Sequence, residues 1–332
     1  MSAINMHRLG DYNLIEAVGL TSGVLAGTIA AVDCNGDCVD FKAETEEGER
    51  TRKQLEELMA PLPIVWLSLQ HGVEIIRLPL DGSVEPVGSV ESGGATEFSG
   101  SIKSSGVCEP GGSSGSASQC DPADKCDSAG ELAGTNHPAV LRPQADGVLI
   151  TQPDIAVAFT TADCLPVILS CKGGANSRGP LAVAIHAGWR GLADGIVEAA
   201  VEKLCAEAGC SPSDLSAWIG PGIDPAHYEI DGITRERLLS RPAVNSNAKG
   251  CFTPTPPDHW FADLPEMADS ILWLAGLKDN RIKRCKLSTY TSGILHSARR
   301  DGEASGRMAT ICFLQGDQTP PSSISFQSQT PC

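Results

Sequence analysis

The chain is short of positive charge. Lys and Arg number 25 against 41 Asp and Glu, a formal charge of −16 over 332 residues. A surface of that sign repels polyanions, which argues against a general nucleic-acid binder or a protein that docks on anionic membranes. It leaves room for a local basic pocket that holds one small anion. Long apolar runs are also missing. No window reaches the roughly 18 uninterrupted apolar residues of a membrane span, and MSAINMHRLGDYNLIEAVGL lacks the apolar stretch of a signal peptide. There is no G-x-y period and no internal repeat, so neither collagen nor a solenoid is expected. Local metal motifs are absent too: no CxxC or HxxxH spacing of a structural zinc site occurs, and the seven His form no HxH cluster. The 13 Cys are odd in number and follow no extracellular framework, so reduced thiols and a cytoplasmic location are expected.

What is present suffices for a sizeable core, since 41% of residues are hydrophobic and 20% charged. Two stretches cannot contribute to it. Residues 82–136, rich in Ser and Gly, bury too little to offset the cost of ordering and read as a flexible insertion; 315–332 reads as a flexible tail. Ordered material is expected over about 11–81 and 137–314. Asn35-Gly36 reads as the tight turn of a hairpin with two positive-φ residues, and 48–60 as a charged helix with Leu55, Leu58 and Met59 on one side. PIVWLSLQHGVEIIRLPL reads as two strands broken at His71-Gly72. GVLIT, IAVAFT, LPVILS, LAVAIH and, at 308–314, MATICFL are short apolar runs bounded by turn residues, the signature of buried strands. Helices are expected from Leu192 to a stop at Gly209 and over 265–276. The fold class is therefore mixed α/β: a single domain of central mixed sheets flanked by helices, interrupted by the insertion.

Three features carry chemistry. Leu69-Gln70-His71-Gly72 puts an imidazole at a strand end. Thr161-Ala162-Asp163-Cys164-Leu165-Pro166 puts a thiol in a polar junction between two apolar runs, where Pro166 keeps the chain extended. His186-Ala187-Gly188-Trp189-Arg190-Gly191 is a strand end running into a helix, where Gly188, Arg190 and Gly191 offer free N–H groups and a guanidinium to an anion. Each alone has an ordinary structural reading: a core histidine, an inert buried thiol, a helix entry with an exposed Arg. If His71, Cys164 and His186 lie within about 8 Å of each other, they supply two imidazoles and a thiolate, a set that suits zinc with one position open. Copper takes the same donors.

The motifs LQHG (69–72), ADG-x-x-x-T (145–151), TADCLPVIL (161–169), HAGWRGL (186–192), IGPGID-x-x-x-YE (219–229) and ARRDG-x-x-x-GRMA (298–309) resemble the polyphenol oxidoreductase laccase-domain family. That family is also described as purine nucleoside phosphorylases and peptidoglycan editing factors. The resemblance implies one zinc on His71, Cys164 and His186. It implies phosphorolysis of adenosine, inosine and 5′-methylthioadenosine to free base and ribose 1-phosphate, with adenosine deamination in the same pocket. On that reading Gln70 and Asp163 orient the ligands or move a proton, and Arg299 and Arg300 either close the site or are ordinary surface charges. This sequence departs from the family at GLTSGVLAG, at Ser288-Thr289-Tyr290, at His296 and at GPGID. Three rival classes remain: a cysteine hydrolase with Cys164 as nucleophile and His186 as base, a copper phenol oxidase, and a non-catalytic metal-stabilised partner protein. The other cysteines, including Cys34, Cys38, Cys108, Cys120 and Cys126, read as ordinary thiols.

Overall fold

Apolar strands that are buried on both faces must be covered on both faces, and the chain meets that demand with two stacked sheets between helices. The computed structural model describes residues 5–78, 142–153, 155–177 and 179–316. The expected insertion at 82–136 lies outside the described residues, as does the tail from 317; Gln315 still donates its N–H to the Gly23 carbonyl.

The strands are β1 Met6–Leu9, β2 Tyr12–Glu16, β3 Val24–Ile29, β4 Ile64–Trp66, β5 Ile75–Arg77, β6 Gly147–Ile150, β7 Ala156–Thr161, β8 Leu165–Cys171, β9 Leu181–Ala187, β10 Ser216–Ile219, β11 Glu229–Asp231, β12 Phe252–Thr255, β13 His259–Ala262, β14 Ile282–Arg284 and β15 Met308–Leu314. The helices are α1 Glu46–Met59, α2 Trp189–Asp194, α3 Ile196–Ala208, α4 Gly232–Leu239, α5 Pro242–Ser246, α6 Ala248–Cys251, α7 Leu264–Leu274 and α8 Ala298–Asp301. One six-stranded sheet runs β1-β2-β3-β15-β7-β4, the other β14-β10-β8-β9-β6-β5, and β11-β13-β12 form a small third sheet. The mixed α/β class is as expected.

Side-chain alternation sorts each central strand into two layers. Val157 and Phe159 of β7, Ile168 of β8, Ala182 and Ala184 of β9, Trp218 of β10 and Cys312 of β15 share one buried cluster between the sheets. The opposite faces of β8 and β9, through Val167, Leu169, Val183 and Ile185, pack on Ile196, Val197, Ala200 and Leu204 of α3 and on α7. On the far side, Leu55 and Met59 of α1 cover Ala156, Ala158, Ile311 and Phe313. His186 shares the parity of Ala182 and Ala184, so the alternation turns it toward the other sheet.

Several expectations needed correction. Order begins at β1, ahead of residue 11. The Asn35-Gly36 segment does fold back antiparallel, through the Val32–Cys38 bridge and the Asp33–Asp37 and Val39–Ala31 backbone bonds, but its turn is longer than the expected two residues and only Gly36 has positive φ (89°). The Asp33 carboxylate shapes this longer turn, accepting from the Asn35 and Asp37 N–H groups at 2.8 and 2.9 Å. The helix expected to run unbroken to Gly209 is two, α2 and α3, divided at left-handed Gly195 (φ 96°).

Candidate metal centre

Two of the three candidate ligands sit where the chain passes from one sheet to the other. β4 belongs to the first sheet and β5 to the second, and His71 lies on the connection between them. β7 and β8 are likewise in different sheets, joined by only Ala162, Asp163 and Cys164. His186 lies on β9, paired with Pro166 two residues past the thiol. The topology thus brings together residues 93 and 22 positions apart along the chain. Ligand atoms of His71, Cys164 and His186 all lie within 4.8 Å of one another. The two imidazoles meet edge to face with centroids 4.9 Å apart. Among the described residues this is the one such group of His, Cys, Asp and Glu donors.

Asp146, which the sequence reading passed over, organises the centre. It is fully buried at the head of β6. Its carboxylate accepts from the backbone N–H groups of Gln70 (3.1 Å), His71 (2.8 Å) and Gly72 (2.7 Å), and lies 3.3 Å from His186 Nδ1. Wrapping three successive N–H groups around one carboxylate requires an unusual backbone, and His71 has φ 59°. The bond to Nδ1 leaves His186 Nε2 as the atom that faces a ligand. Burial opposes the charge on Asp146, but the bonds from His186 and from the Gly72 and His71 N–H groups hold it below the usual carboxylate range. The only sequence sign of this role was ADG directly before a buried strand.

Asp163 is the second non-glycine residue at positive φ (90°). Its carboxylate accepts from the Thr289 hydroxyl (2.6 Å) and the Arg299 N–H (2.7 Å), and its carbonyl from the Ile223 N–H (3.0 Å). It ties the thiol-bearing connection to the 289–299 segment and holds no ligand in place by a direct side-chain bond. Gln70 is exposed and contributes its backbone N–H to Asp146. Gly188 is needed for close approach, since a Cβ there would stand 2.9 Å from Cys164 Sγ. Gly191 is buried against the Gly72 carbonyl and lines neither cavity described below. Arg190 stacks on Trp189, and Arg299 on Tyr228. Arg300 clamps its own loop, donating to the carbonyls of Thr289, Tyr290, Ser292 and Leu295. His296 bonds the Val39 carbonyl, away from the three ligands.

Two cavities meet at the centre. The larger, of about 730 Å³, is lined by all three ligands and by Lys42, Arg52, Arg142 and Arg307. The smaller, about 280 Å³, is lined by His71, Cys164, Trp189, Arg190, Tyr228 and Arg299. Burial raises the Cys164 thiol, but the adjoining His186 and His71 outweigh it and bring the group down to about 6. Burial likewise works against a charged His186, and the Cys164 and Asp146 negative charges lift it to about 9. The chain's own groups thus favour a thiolate beside an imidazolium, and a cation could take the place of the imidazolium proton.

Residues 119–315 match the family model described as multi-copper polyphenol oxidoreductase laccase. The chain belongs to that laccase family. Curated relatives include a purine nucleoside phosphorylase of Xylella fastidiosa, 34% identical over 53% of this chain and 63% of the relative. Another is the purine nucleoside phosphorylase YfiH of Escherichia coli, 32% identical over 52% and 64%. The matched stretch therefore spans less than two thirds of these relatives' own length. Among solved structures, YlmD from Geobacillus stearothermophilus aligns with TM-score 0.66 at 21% identity over 94% of this chain and 99% of its own. A Bacillus licheniformis protein, YfiH, aligns with TM-score 0.65 at 20% identity over 95% and 98%. At these identities the likeness shows a shared fold. Among the described residues, no helix is long and apolar enough to cross a membrane.

Proposed function

We propose that the protein is a zinc-dependent purine nucleoside phosphorylase. Adenosine, inosine or 5′-methylthioadenosine would react with phosphate to give free base and ribose 1-phosphate, and adenosine would be deaminated in the same pocket. The observation that carries this reading is the convergence of His71, Cys164 and His186 at the junction of two cavities. The names of the relatives supply the substrate class. The donor set fits zinc: two neutral imidazoles and one thiolate leave a coordination position open, and the Asp146 contact fixes the His186 tautomer such a site requires. The copper alternative lacks the clustered His donors that oxidase centres use, among the described residues as in the sequence.

When bound, zinc supplies Lewis-acid polarisation of an oxygen nucleophile. The chain does the rest. Gly188 and Arg190 hold phosphate at the mouth of α2. Trp189 and Tyr228, whose rings carry the Arg190 and Arg299 guanidinium groups, line the smaller cavity where the purine would sit. Asp163 keeps the thiol-bearing connection in register with Arg299. In the reaction the N-glycosidic bond breaks, an oxygen of hydrogen phosphate bonds to C1′, and the proton that the phosphate loses on becoming an ester is, in net terms, the one the departing purine takes up. The enzyme's partners are these small molecules, with no role for nucleic acid or membrane, and a reducing compartment such as the cytoplasm preserves the Cys164 thiol.

A second reading has one specific observation behind it: Cys164, His186 and Asp146 also line up as nucleophile, base and orienting carboxylate. The two readings diverge in one experiment. Cys164→Ala and metal-stripped wild type are each assayed for hypoxanthine release from inosine plus phosphate, with metal content by mass spectrometry. The phosphorylase reading expects both to lose activity by at least about a hundredfold, and zinc to restore only the wild type. Undiminished hypoxanthine release from Cys164→Ala would sink it. Amide hydrolysis that survives metal removal would favour the nucleophile.

A further inference from the structure

The larger cavity has a wall that the proposed reaction does not use. Lys42, Arg52, Arg142 and Arg307 line it, against the carboxylates of Glu44 and Glu303. In a chain with a formal charge of −16, four cations on one cavity wall run against the overall field.

Their bonding is more telling than their number. Arg52 is only 5% exposed, on the inner side of α1. Its Nε donates to the Phe41 carbonyl at 2.8 Å, and its guanidinium lies over the Trp66 ring, 4.5 Å from the centroid. No carboxylate pairs with it among the described residues, although Glu44, Glu49 and Glu56 lie near enough to act on it. Arg307 donates Nη1 to the carbonyls of Ser305 and Gly306, and Lys42 donates to that of Glu303. Among the described residues, neither forms an ion pair. Arg142 alone is neutralised, in a two-pronged bond with Glu49 at 2.9 and 2.7 Å. Backbone carbonyls thus orient three cations without cancelling their charge. A buried guanidinium fixed by one nitrogen keeps the forked donors of its other two for a planar or tetrahedral oxyanion. Burial, and then the neighbouring Arg142, lower Arg52 to about 10, so it stays charged at neutral pH while its surroundings work against that charge. A bound anion would relieve both effects.

We infer that the wall formed by Lys42, Arg52 and Arg307 is a seat for a phosphoryl group, in the larger cavity, which Arg190 does not line. Arg142 stands beside it. The cavity of about 730 Å³ lies within the roughly 300–1,000 Å³ of small-molecule sites. Trp189 and Tyr228 line the smaller cavity, so a nucleoside with its base there and spanning the junction would turn its ribose toward the cations. The phosphoryl group has two chemical sources, free inorganic phosphate or a 5′-phosphate ester on the nucleoside. The inference deepens the phosphorylase reading by adding an anionic subsite, but it concerns binding alone, so the two fail separately.

Calorimetry with the full-length protein tests it, each ligand titrated alone so that no phosphorolysis can occur. The probes are inorganic phosphate, inosine and inosine 5′-monophosphate. The variants are Arg307→Gln and Lys42→Gln, singly and together, with Arg52→Lys as a variant that keeps the buried charge but loses the fork. Near-UV circular dichroism establishes that each is folded. The double variant is expected to weaken one phosphoryl ligand by roughly tenfold or more and to leave inosine within twofold. Weakened inorganic phosphate identifies a seat for the free ion. A nucleotide that binds tighter than inosine only in the wild type identifies a seat for the ester. If folded variants bind phosphate and nucleotide as the wild type does, or if only Arg190→Gln removes phosphate binding, the inference is overturned.

Discussion

Asp146 shows how much of a site can rest on a residue that touches no substrate. One oxygen serves the Gln70 and His71 N–H groups and His186, and the other serves Gly72. Asp146→Asn keeps the shape but turns one acceptor into a donor, so either Gly72 or the Gln70–His71–His186 side loses its partner. Zinc affinity is expected to fall about 10–100-fold, measured by competition with a chromogenic chelator; unchanged affinity would show that the loop holds His71 without this carboxylate. The thiol offers a second residue-scale check. Its folded value of about 6 lies below the usual thiol value of about 8.5. In metal-free protein the thiolate dominates above pH 6, and alkylation by iodoacetamide should slow as pH falls through that value. A midpoint near 8.5 would mean that the imidazoles do not act on the sulfur. The three ligands were legible in the sequence because His and Cys at strand ends are chemically conspicuous. Asp146 was not, because Asp-Gly ahead of a strand is also an ordinary turn signal. Arg52 was hidden differently: on a helix as charged as α1 it reads as a solvated residue, and only packing over Trp66 shows that it faces inward.

Among the elements, the strands buried on both faces were the easiest to read. β6 to β9 and β15 are almost wholly apolar because sheets and helices cover both sides. β1, β2 and the small β11-β13-β12 sheet are short and mixed in polarity, so they declare themselves only through their pairing partners, as β2 does along β3. The junction from β9 to α2 is set by Gly188. Its missing Cβ lets the backbone run past the thiol, and Gly188→Ala would press a methyl group to within 2.9 Å of Cys164 Sγ unless the sulfur moves. That substitution is expected to weaken zinc binding about tenfold or more while changing the stability of the metal-free protein by no more than ~1 kcal/mol. Chelator competition and urea unfolding report the two quantities. An equal loss in both would make Gly188 a folding residue instead.

At the scale of the molecule, the sandwich and the metal centre are one construction. The connections from β4 to β5 and from β7 to β8 are two of the places where the chain changes sheets, and each of these two carries a ligand. The third ligand stands on the second sheet. A cation held by all three binds only the folded arrangement, so saturating zinc should raise the melting temperature of the chelated protein by about 5 °C or more. A melting curve indifferent to zinc would show that the ligands do not share an ion. The same layout has a mechanical corollary. A single ion clasped across the seam works as a rivet between two plates, and its grip depends on how the plates are seated. Repacking far inside the sandwich, for example at the fully covered Trp218, should therefore loosen the ion without altering any atom that touches it.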